Sequence, residues 1–331
     1  MGLLRWHRVE NKRSMPWKGE KDPYRIWLSE IILQQTRVEQ GLPYYLRFVK
    51  EFPDLQTLAA ADDQQVFRLW QGLGYYQRCR NMLATARQLV QEHEARFPES
   101  YEGLLKLKGV GEYTAAAIAS FAFQLPQAVV DGNVVRVLSR LFRMPNNGTD
   151  AAGKTLYRKL AQDLLPTQDP AGFNQAMMDL GATLCKPGIP ECAQCPLSTH
   201  CSAFRQGDVQ LFPPPKPRKE LQTRYFHFII PGGAVLYLVQ RKEKDIWQDL
   251  FMPYYIESDS AQIPAGMSKN ANPVEVQEQV LSHRRIHATF YRVRTWKPPR
   301  GSDIIPVERK HLKHYAFPRV IVSFFKKFNY L

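Results

Sequence analysis

Four cysteines near the middle of the chain have the spacing of a metal-cluster site. They follow the pattern C-x6-C-x2-C-x5-C and are Cys185, Cys192, Cys195 and Cys201. Soft thiolates at this density select zinc or iron–sulfur chemistry, and four thiolates are the ligand set of a [4Fe–4S] cluster. The C-x2-C step alone also fits a zinc knuckle. We expect a [4Fe–4S] cluster at these cysteines, with zinc as the alternative.

Two carboxylates earlier in the chain have contexts that suit acid–base chemistry. Glu30 stands in the apolar segment Ile26-Trp-Leu-Ser-Glu-Ile-Ile-Leu33, where burial would raise its pKa and keep it protonated near neutrality. Asp131 follows an apolar pair and precedes a helical pattern, so its carboxylate can face a developing cation. The alternatives are that Glu30 is a surface glutamate on an amphipathic helix and that Asp131 is only a helix N-cap.

A glycine-containing turn predicts a phosphate contact. Gly109 and Gly111 lie in Leu107-Lys-Gly-Val-Gly-Glu-Tyr-Thr-Ala115, between two helical patterns. Such a turn points backbone N–H groups outward at a helix N-terminus and binds a phosphate without reading sequence. The alternative is that the two glycines only allow a tight turn between the helices.

The composition favours a polyanionic partner. The chain has 331 residues, enough for two domains, and a net charge of +14 spread along its length. A basic protein without a nucleic-acid role is the alternative. No apolar run reaches the length of a membrane span, and the N-terminus lacks the apolar core of a signal peptide. We therefore expect a cytoplasmic protein with reduced thiols, in which the isolated Cys79 is buried or idle.

Hydrophobic periodicity divides the chain into a helical part and a part with strands. Residues 1–205 are predicted to be helical, 206–219 to be a Pro-rich linker, and 220–331 to be a small α+β domain. The clearest helical segments are Trp27–Glu39, Asp62–Trp70, Asn81–His93, Tyr113–Phe123, Val134–Phe142 and Asn174–Leu184. The clearest strand segments are Tyr225–Ile230, Ala234–Gln240 and Ala288–Trp296.

These motifs, and their order along the chain, resemble those of the adenine DNA glycosylases of the MutY type. These enzymes belong to the helix-hairpin-helix superfamily that includes endonuclease III. The matching segments are Trp27-Leu-Ser-Glu-Ile-Ile-Leu-Gln-Gln-Thr-Arg-Val-Glu39, Gln71-Gly-Leu-Gly-Tyr-Tyr76, Lys108-Gly-Val-Gly-Glu-Tyr-Thr114, Val130-Asp-Gly-Asn-Val134 and the four-cysteine loop. The resemblance covers residues 5–205 and continues weakly to the end. It implies an all-α helix-hairpin-helix glycosylase domain with a [4Fe–4S] loop, followed by a small α+β MutT/Nudix-like domain.

The resemblance implies a reaction and a role for each catalytic residue. Glu30 would protonate the adenine, and Asp131, supported by Asn133, would stabilise the sugar cation. Tyr113 stands where the related lyases carry a lysine, and a tyrosine forms no Schiff base, so we expect a monofunctional enzyme. The alternatives are an endonuclease III-like glycosylase and lyase for oxidised pyrimidines, and a DNA-binding protein without catalysis.

The resemblance also implies the contacts with DNA. The substrate would be double-stranded DNA with adenine opposite 8-oxoguanine or guanine, bound by a monomer. Gln35 and Tyr75 match residues that enter the gap near the lesion, and Arg13 and Trp17 match residues of the adenine pocket. Ser282 and His283 match a loop that contacts 8-oxoguanine, although Leu281 replaces its usual phenylalanine. The chain lacks the nucleotide-hydrolase box of MutT-like enzymes, so we expect no nucleotide hydrolysis.

Overall fold

Helices follow one another from the N-terminus to residue 205. The computed structural model describes residues 2–215, 220–264, 271–281, 284–294, 296, 298–299 and 303–331. The helices are α1 Gly2–Val9, α2 Pro23–Leu33, α3 Val38–Glu51, α4 Leu55–Ala60, α5 Asp63–Trp70, α6 Tyr76–Glu92, α7 Tyr101–Leu105, α8 Glu112–Phe123, α9 Gly132–Phe142, α10 Ala151–Leu164, α11 Pro170–Thr183 and α12 Ser202–Arg205. Short 3-10 turns lie at Cys192–Gln194, Ser198–His200 and Val209–Leu211.

The chain divides into two units. The first combines Met1–Ala59 with Asn81–Pro217, and the second combines Ala60–Arg80 with Arg218–Leu331. The domain boundaries derived from the sequence, at 205 and 220, stay a prediction. In the described residues, no helix has the length and apolar content that a bilayer span requires.

Aspartates begin many of the helices. A carboxylate oxygen accepts a backbone N–H from the first turn, which satisfies a donor that has no partner inside the helix. The capping residues are Asp22, Asp62, Asp131, Asp150 and Asp169. Pro23 and Pro170 follow two of these caps, where a fixed φ favours helix initiation.

In the first unit, α8 is a buried helix. Its residues Thr114 to Ser120 are all buried, and α2 packs against it with the fully buried side chains Trp27 and Leu28. A second cluster joins α1, α9 and α11 through side chains such as Trp6, Leu138 and Leu180. Together, these contacts fix the helices that carry the predicted catalytic residues.

One predicted helix is wrong. Trp27–Glu39 is not continuous, because α2 ends at Leu33 and α3 begins at Val38. In the break, Gln35 has φ +54, in the left-handed region. The intervening Gln-Gln-Thr-Arg sequence contains no proline or glycine, so periodicity alone did not reveal the break.

The second unit contains two sheets. The strands are β1 Gln222–Pro231, β2 Val235–Gln240, β3 Phe251–Pro253, β4 Tyr255–Ser258, β5 Asn272–Val280, β6 Arg284–Val293 and β7 Ile304–Glu308. One sheet has the order β4-β1-β6-β5, with β1 and β6 parallel, and the other has the order β3-β2-β7. A 3-10 segment at Arg309–His314 precedes the last helix, α13 Arg319–Lys327, whose Phe324 stacks on Phe290 of β6.

Of the three predicted strand segments, Tyr225–Ile230 lies within β1, Ala234–Gln240 matches β2 to within one residue, and Ala288–Trp296 overlaps β6, which ends at Val293. The remaining predicted helices are also confirmed, within a few residues, as α5, α6, α8, α9 and α11. Cys79 is fully buried, as expected. Periodicity missed β5, whose residues are mostly exposed or half-buried and give no clear alternation of apolar and polar positions.

Candidate active site

Glu30 is a buried carboxyl group with a hydroxyl partner. It lies on α2 with 7% of its surface exposed. Tyr113, at the start of α8, donates its hydroxyl hydrogen to Glu30 Oε2 at 2.6 Å. Burial raises the pKa of Glu30 to about 7, the Tyr113 hydrogen bond opposes that rise, and the nearby Asp131 carboxylate adds to it. Glu30 can therefore hold a proton near neutrality and transfer it.

Asp131 is the N-cap of α9 and has several donors. Its Oδ1 accepts the Val134 N–H at 2.8 Å, and its Oδ2 accepts the Asn133 side-chain amide at 2.7 Å. Burial raises the pKa of Asp131, whereas these hydrogen bonds and the Arg136 charge lower it. Arg136 also donates to Asn133 Oδ1 at 2.8 Å, which fixes the amide orientation. Burial outweighs these contacts, so the pKa of Asp131 lies above its ordinary value overall, while the hydrogen bonds and the Arg136 charge stabilise its anion.

Glu30 opens into a pocket of about 310 Å³. This volume falls within the range of small-molecule sites and is large enough for a planar base. Its lining includes Trp17, Lys18, Ser29, Glu30 and Gln175. Trp17 thus lies in the wall of the cavity that Glu30 also lines, and its role in an adenine pocket stays a prediction.

Asp179, on α11, organises the N-terminal wall of this pocket. Its side chain is completely buried and accepts hydrogen bonds from Arg13 at 2.8 Å and Asn11 at 2.7 Å. Lys18 Nζ is 3.0 Å from the same carboxylate, and Gln175 donates to it at 3.1 Å. Arg13 therefore contacts Asp179, which in turn binds two residues of the lining. Sequence reasoning missed Asp179, although it lies in an apolar run as Glu30 does.

The turn between α7 and α8 has the geometry of a helix-hairpin-helix motif. Gly109 has φ +75, and a Cβ added there would lie 2.5 Å from Asn81 Cβ. Gly111 is the N-cap of α8 and, having no side chain, forms no side-chain cap to this helix. The first backbone N–H groups of α8 therefore remain available for an anion, and the neighbouring Lys108 is exposed.

The predicted DNA-contacting residues lie in different parts of the chain. Gln35 is exposed in the left-handed break after α2, within the first unit. Tyr75 is 46% exposed, has φ +50, and belongs to the second unit. Ser282 and His283 lie outside the described residues.

The four predicted metal-binding cysteines line one small cavity together with Arg140. Arg140 Nη1 is 3.4 Å from Cys185 Sγ and donates to the Lys186 carbonyl at 2.9 Å. Burial raises the pKa of Cys195 to about 11, so metal binding must displace a proton from this thiol. Within the described ranges, no group of three or more His, Cys, Asp or Glu side chains has the arrangement to hold a metal ion.

Comparisons with known proteins agree on a DNA-repair family. Residues 28–163 match the family model of the HhH-GPD superfamily base excision DNA repair proteins. The adenine DNA glycosylase of Buchnera aphidicola subsp. Baizongia pistaciae (strain Bp) is 34% identical over 295 residues, which cover 87% of this chain and 83% of that protein. The adenine DNA glycosylase of Homo sapiens is 42% identical over 213 residues, 61% of this chain and 38% of the human protein.

Two solved structures resemble 62% of the chain. A thermostable thymine-DNA glycosylase has a TM-score of 0.57 and 28% identity, covering 62% of this chain and 94% of that protein. A trapped covalent intermediate of endonuclease III with DNA has a TM-score of 0.53 over the same shares of the two chains. At 21% identity, this second likeness shows the fold alone.

Proposed function

The chain belongs to the adenine DNA glycosylases of the helix-hairpin-helix superfamily and removes adenine from DNA in base-excision repair; from that premise, we propose that it acts on adenine opposite 8-oxoguanine, and also opposite guanine, by monofunctional hydrolysis. The observation that carries the mechanism is the pairing of Glu30 with Tyr113 beside the pocket. The proposed substrate is duplex DNA, bound by one copy of the chain.

Glu30 is proposed as the general acid. Adenine is a poor leaving group as an anion, so a ring nitrogen must be protonated before the N-glycosidic bond breaks. A carboxyl group with a pKa of about 7 retains its proton at neutral pH and can still release it. Because Tyr113 occupies Glu30 Oε2 by donating to it, the other carboxyl oxygen is left to carry the proton.

Asp131 is proposed to stabilise the sugar cation that forms as adenine leaves. The transition state of such a hydrolysis is oxocarbenium-like, and a nearby carboxylate lowers its energy. The donors from Val134 and Asn133 favour the anion and hold it in one orientation. Water then completes the reaction at the sugar carbon.

Tyr113 supports a monofunctional mechanism. Strand cleavage by a lyase requires an amine that forms a Schiff base with the sugar, and a tyrosine has none. Its hydroxyl is instead committed to Glu30. We expect little covalent adduct after borohydride reduction; abundant adduct would favour the endonuclease III-like alternative.

The helix-hairpin-helix turn is proposed to bind a DNA phosphate. The N-terminus of α8, Gly109 and the exposed Lys108 together offer backbone donors and positive charge. This contact would position the duplex without reading its sequence.

The cysteine loop is proposed to hold a [4Fe–4S] cluster of structural function. Four cysteine thiolates are the ligand set of such a cluster, so the residues that would hold it must lie together around one space. The shared cavity of Cys185, Cys192, Cys195 and Cys201 fits this requirement. Arg140 would place a positive charge beside the anionic thiolates. Iron and sulfide analysis tests the assignment, and stoichiometric zinc would reject it.

Residues 220–331 are proposed to form a MutT-like domain that recognises 8-oxoguanine. The two sheets with α13 give the α+β character that such a domain requires. Replacing Ser282 and His283 by alanine tests the role of the recognition loop: discrimination between 8-oxoguanine and guanine should fall. Unchanged discrimination would remove these two residues from the assignment.

Single-turnover release of adenine tests the proposed reaction. Duplexes would carry adenine opposite 8-oxoguanine, guanine or thymine, and Glu30→Gln would be compared with Glu39→Gln, an exposed glutamate of α3. Loss of a general acid typically costs roughly 10²–10⁴-fold. We expect that loss in Glu30→Gln and none in Glu39→Gln. Equal rates opposite 8-oxoguanine and thymine would reject the proposed substrate.

A further inference from the structure

Both ends of the turn that carries Tyr75 bind one residue of the C-terminal part of the chain, Phe317. Gln71 is the C-cap of α5, directly after Trp70, and Tyr76 begins α6, so the two residues flank the turn. The Phe317 N–H donates to Gln71 Oε1 at 3.2 Å, and the Tyr76 hydroxyl donates to the Phe317 carbonyl at 3.4 Å. Both polar groups of one peptide residue therefore bind the two ends of the Tyr75 turn.

The turn has a conformation that needs such support. Tyr75 has φ +50, a left-handed value that is unfavourable for a residue with a side chain. Gly72 and Gly74 also have positive φ, at +95 and +81. A strained backbone persists only where its surroundings fix it, so the contacts of this turn determine where Tyr75 lies.

Contacts inside the turn fix its middle. The Trp70 indole N–H donates to the Gly74 carbonyl at 2.9 Å, and Arg78 donates to the same oxygen at 3.3 Å. The Arg78 guanidinium lies 5.5 Å from the Tyr75 ring centroid and 5.1 Å from that of Trp70. The middle of the turn is thus held by local contacts, and its two ends bind Phe317.

Phe317 is a rigid attachment point. Its side chain is fully buried and packs edge-on against Phe325 of α13, with ring centroids 5.1 Å apart. The carbonyl of the preceding Ala316 accepts the Phe251 N–H of β3 at 2.9 Å. Phe317 is therefore fixed by α13 and β3, elements of the part of the chain proposed to recognise 8-oxoguanine.

We propose that Gln71, Tyr76 and the Phe317 backbone form a clamp that positions Tyr75 for insertion into the duplex. Gln71 and Tyr76 are positioning residues that act through Tyr75. The clamp connects the sheet elements of the C-terminal part directly to the inserting side chain. The proposal rests on the insertion of Tyr75 that the proposed function includes.

A double-mutant cycle in the full-length protein tests the clamp. Binding would be measured in a Glu30→Gln background, which keeps the duplex intact, with 2-aminopurine next to the 8-oxoguanine to report unstacking. Tyr75→Ala should weaken binding by roughly 5- to 150-fold and reduce the 2-aminopurine signal, because base–aromatic stacking is lost. Gln71→Ala should weaken binding by roughly 2- to 10-fold and reduce the same signal, because one backbone hydrogen bond is lost.

The decisive comparison is Gln71→Ala in the Tyr75→Ala background. If the clamp acts through Tyr75, the second substitution adds no loss there. Losses that multiply would overturn the clamp while leaving the insertion of Tyr75 intact. If Tyr75→Ala binds as tightly as its parent, both the insertion and the clamp are rejected, and adenine release by the wild type remains a separate result.

Three further variants separate positioning from simple attachment. Gln71→Glu keeps the acceptor for Phe317 N–H and should restore most of the 2-aminopurine signal, whereas Tyr76→Phe should reproduce part of the Gln71→Ala loss. Gln64→Ala removes a contact with the Asp249 carbonyl at 3.4 Å, which attaches the same segment elsewhere. It should change neither binding nor fluorescence; a loss equal to that of Gln71→Ala would overturn the specific role of Phe317.

Discussion

Replacing Tyr113 by phenylalanine should extend adenine release to higher pH. In the proposed mechanism the acid form of Glu30 performs the reaction, so the wild-type rate should fall as pH rises through the Glu30 pKa of about 7. The Tyr113 hydrogen bond, at 2.6 Å, stabilises the ionised carboxylate and so lowers this pKa. Without the bond, Glu30 remains protonated at higher pH.

The size of the effect follows from the energy of that hydrogen bond. A hydrogen bond to a charged group contributes roughly 1.5–3 kcal/mol, and a tenfold change in an equilibrium is about 1.4 kcal/mol. The alkaline limb of the pH–rate profile should therefore move to higher pH by roughly one to two units. The plateau rate at low pH should also fall, because the Glu30 carboxyl group loses the partner that orients it.

The assay is single-turnover adenine release from pH 5 to 9 with saturating enzyme. Tyr24→Phe is the matched control, because Tyr24 is a buried tyrosine on the helix of Glu30 whose hydroxyl donates to the Phe52 carbonyl at 2.7 Å. It should lower stability without moving the limb. A limb that stays in place in Tyr113→Phe, or that moves to lower pH, would refute the assignment of Glu30 as the titrating acid.

Three further predictions, made with four substitutions, test the energetics of the site and of the turn before α8. Glu30→Gln should stabilise the protein by roughly 3 kcal/mol at pH 8 and by almost nothing near pH 4.5. Because the Glu30 pKa is raised, the wild type loses stability as pH rises from 4.5 through 7, and the variant does not. Urea unfolding at both pH values measures this difference, and a less stable variant at pH 8 would contradict it. Asp179→Ala should destabilise by roughly 3–5 kcal/mol, because it leaves two cations without their buried partner; a loss below 1 kcal/mol in thermal unfolding would show that these contacts add little. Gly109→Ala should lower the stability of the protein and weaken its binding to undamaged duplex, because the added Cβ would meet Asn81. Gly111→Ala should change neither quantity, because the space around that position is open. Equal effects of the two substitutions would reject the steric argument.

Local sequence signals were sufficient where a residue and its partner are close in the chain. The cap of α9 was predictable because Asp131 precedes the helix it caps and accepts from Val134, three residues later. The helix-hairpin-helix turn was predictable because only glycine accepts the backbone of Gly109 beside Asn81. The break after α2 was not predictable, since its residues carry no turn signal and the surrounding fold imposes the left-handed Gln35.

Partners far apart in the chain could not be inferred from these signals. Glu30 and Tyr113 are separated by 83 residues, and the sequence indicated only that Tyr113 replaces a lysine. Asp179 shows the limit in another way: its apolar surroundings matched those of Glu30, but only the fold reveals that cations from the N-terminal segment surround it. Similar apolar sequence contexts thus contain one carboxyl group that retains a proton, Glu30, and one that binds cationic side chains, Asp179.

The proposed mechanism gives the two carboxyl groups of the site opposite requirements, and their different partners meet these requirements. Glu30 must be neutral before bond cleavage, and it has apolar surroundings and a single hydroxyl donor. Asp131 must be anionic as the cation forms, and it has a helix N-terminus, the Asn133 amide and the Arg136 charge. Each anion raises the pKa of a neighbouring acid, so the ionised Asp131 itself helps to keep Glu30 protonated. Once Glu30 has given up its proton, the site would hold two anions, and both would attract the positive charge that forms on the sugar.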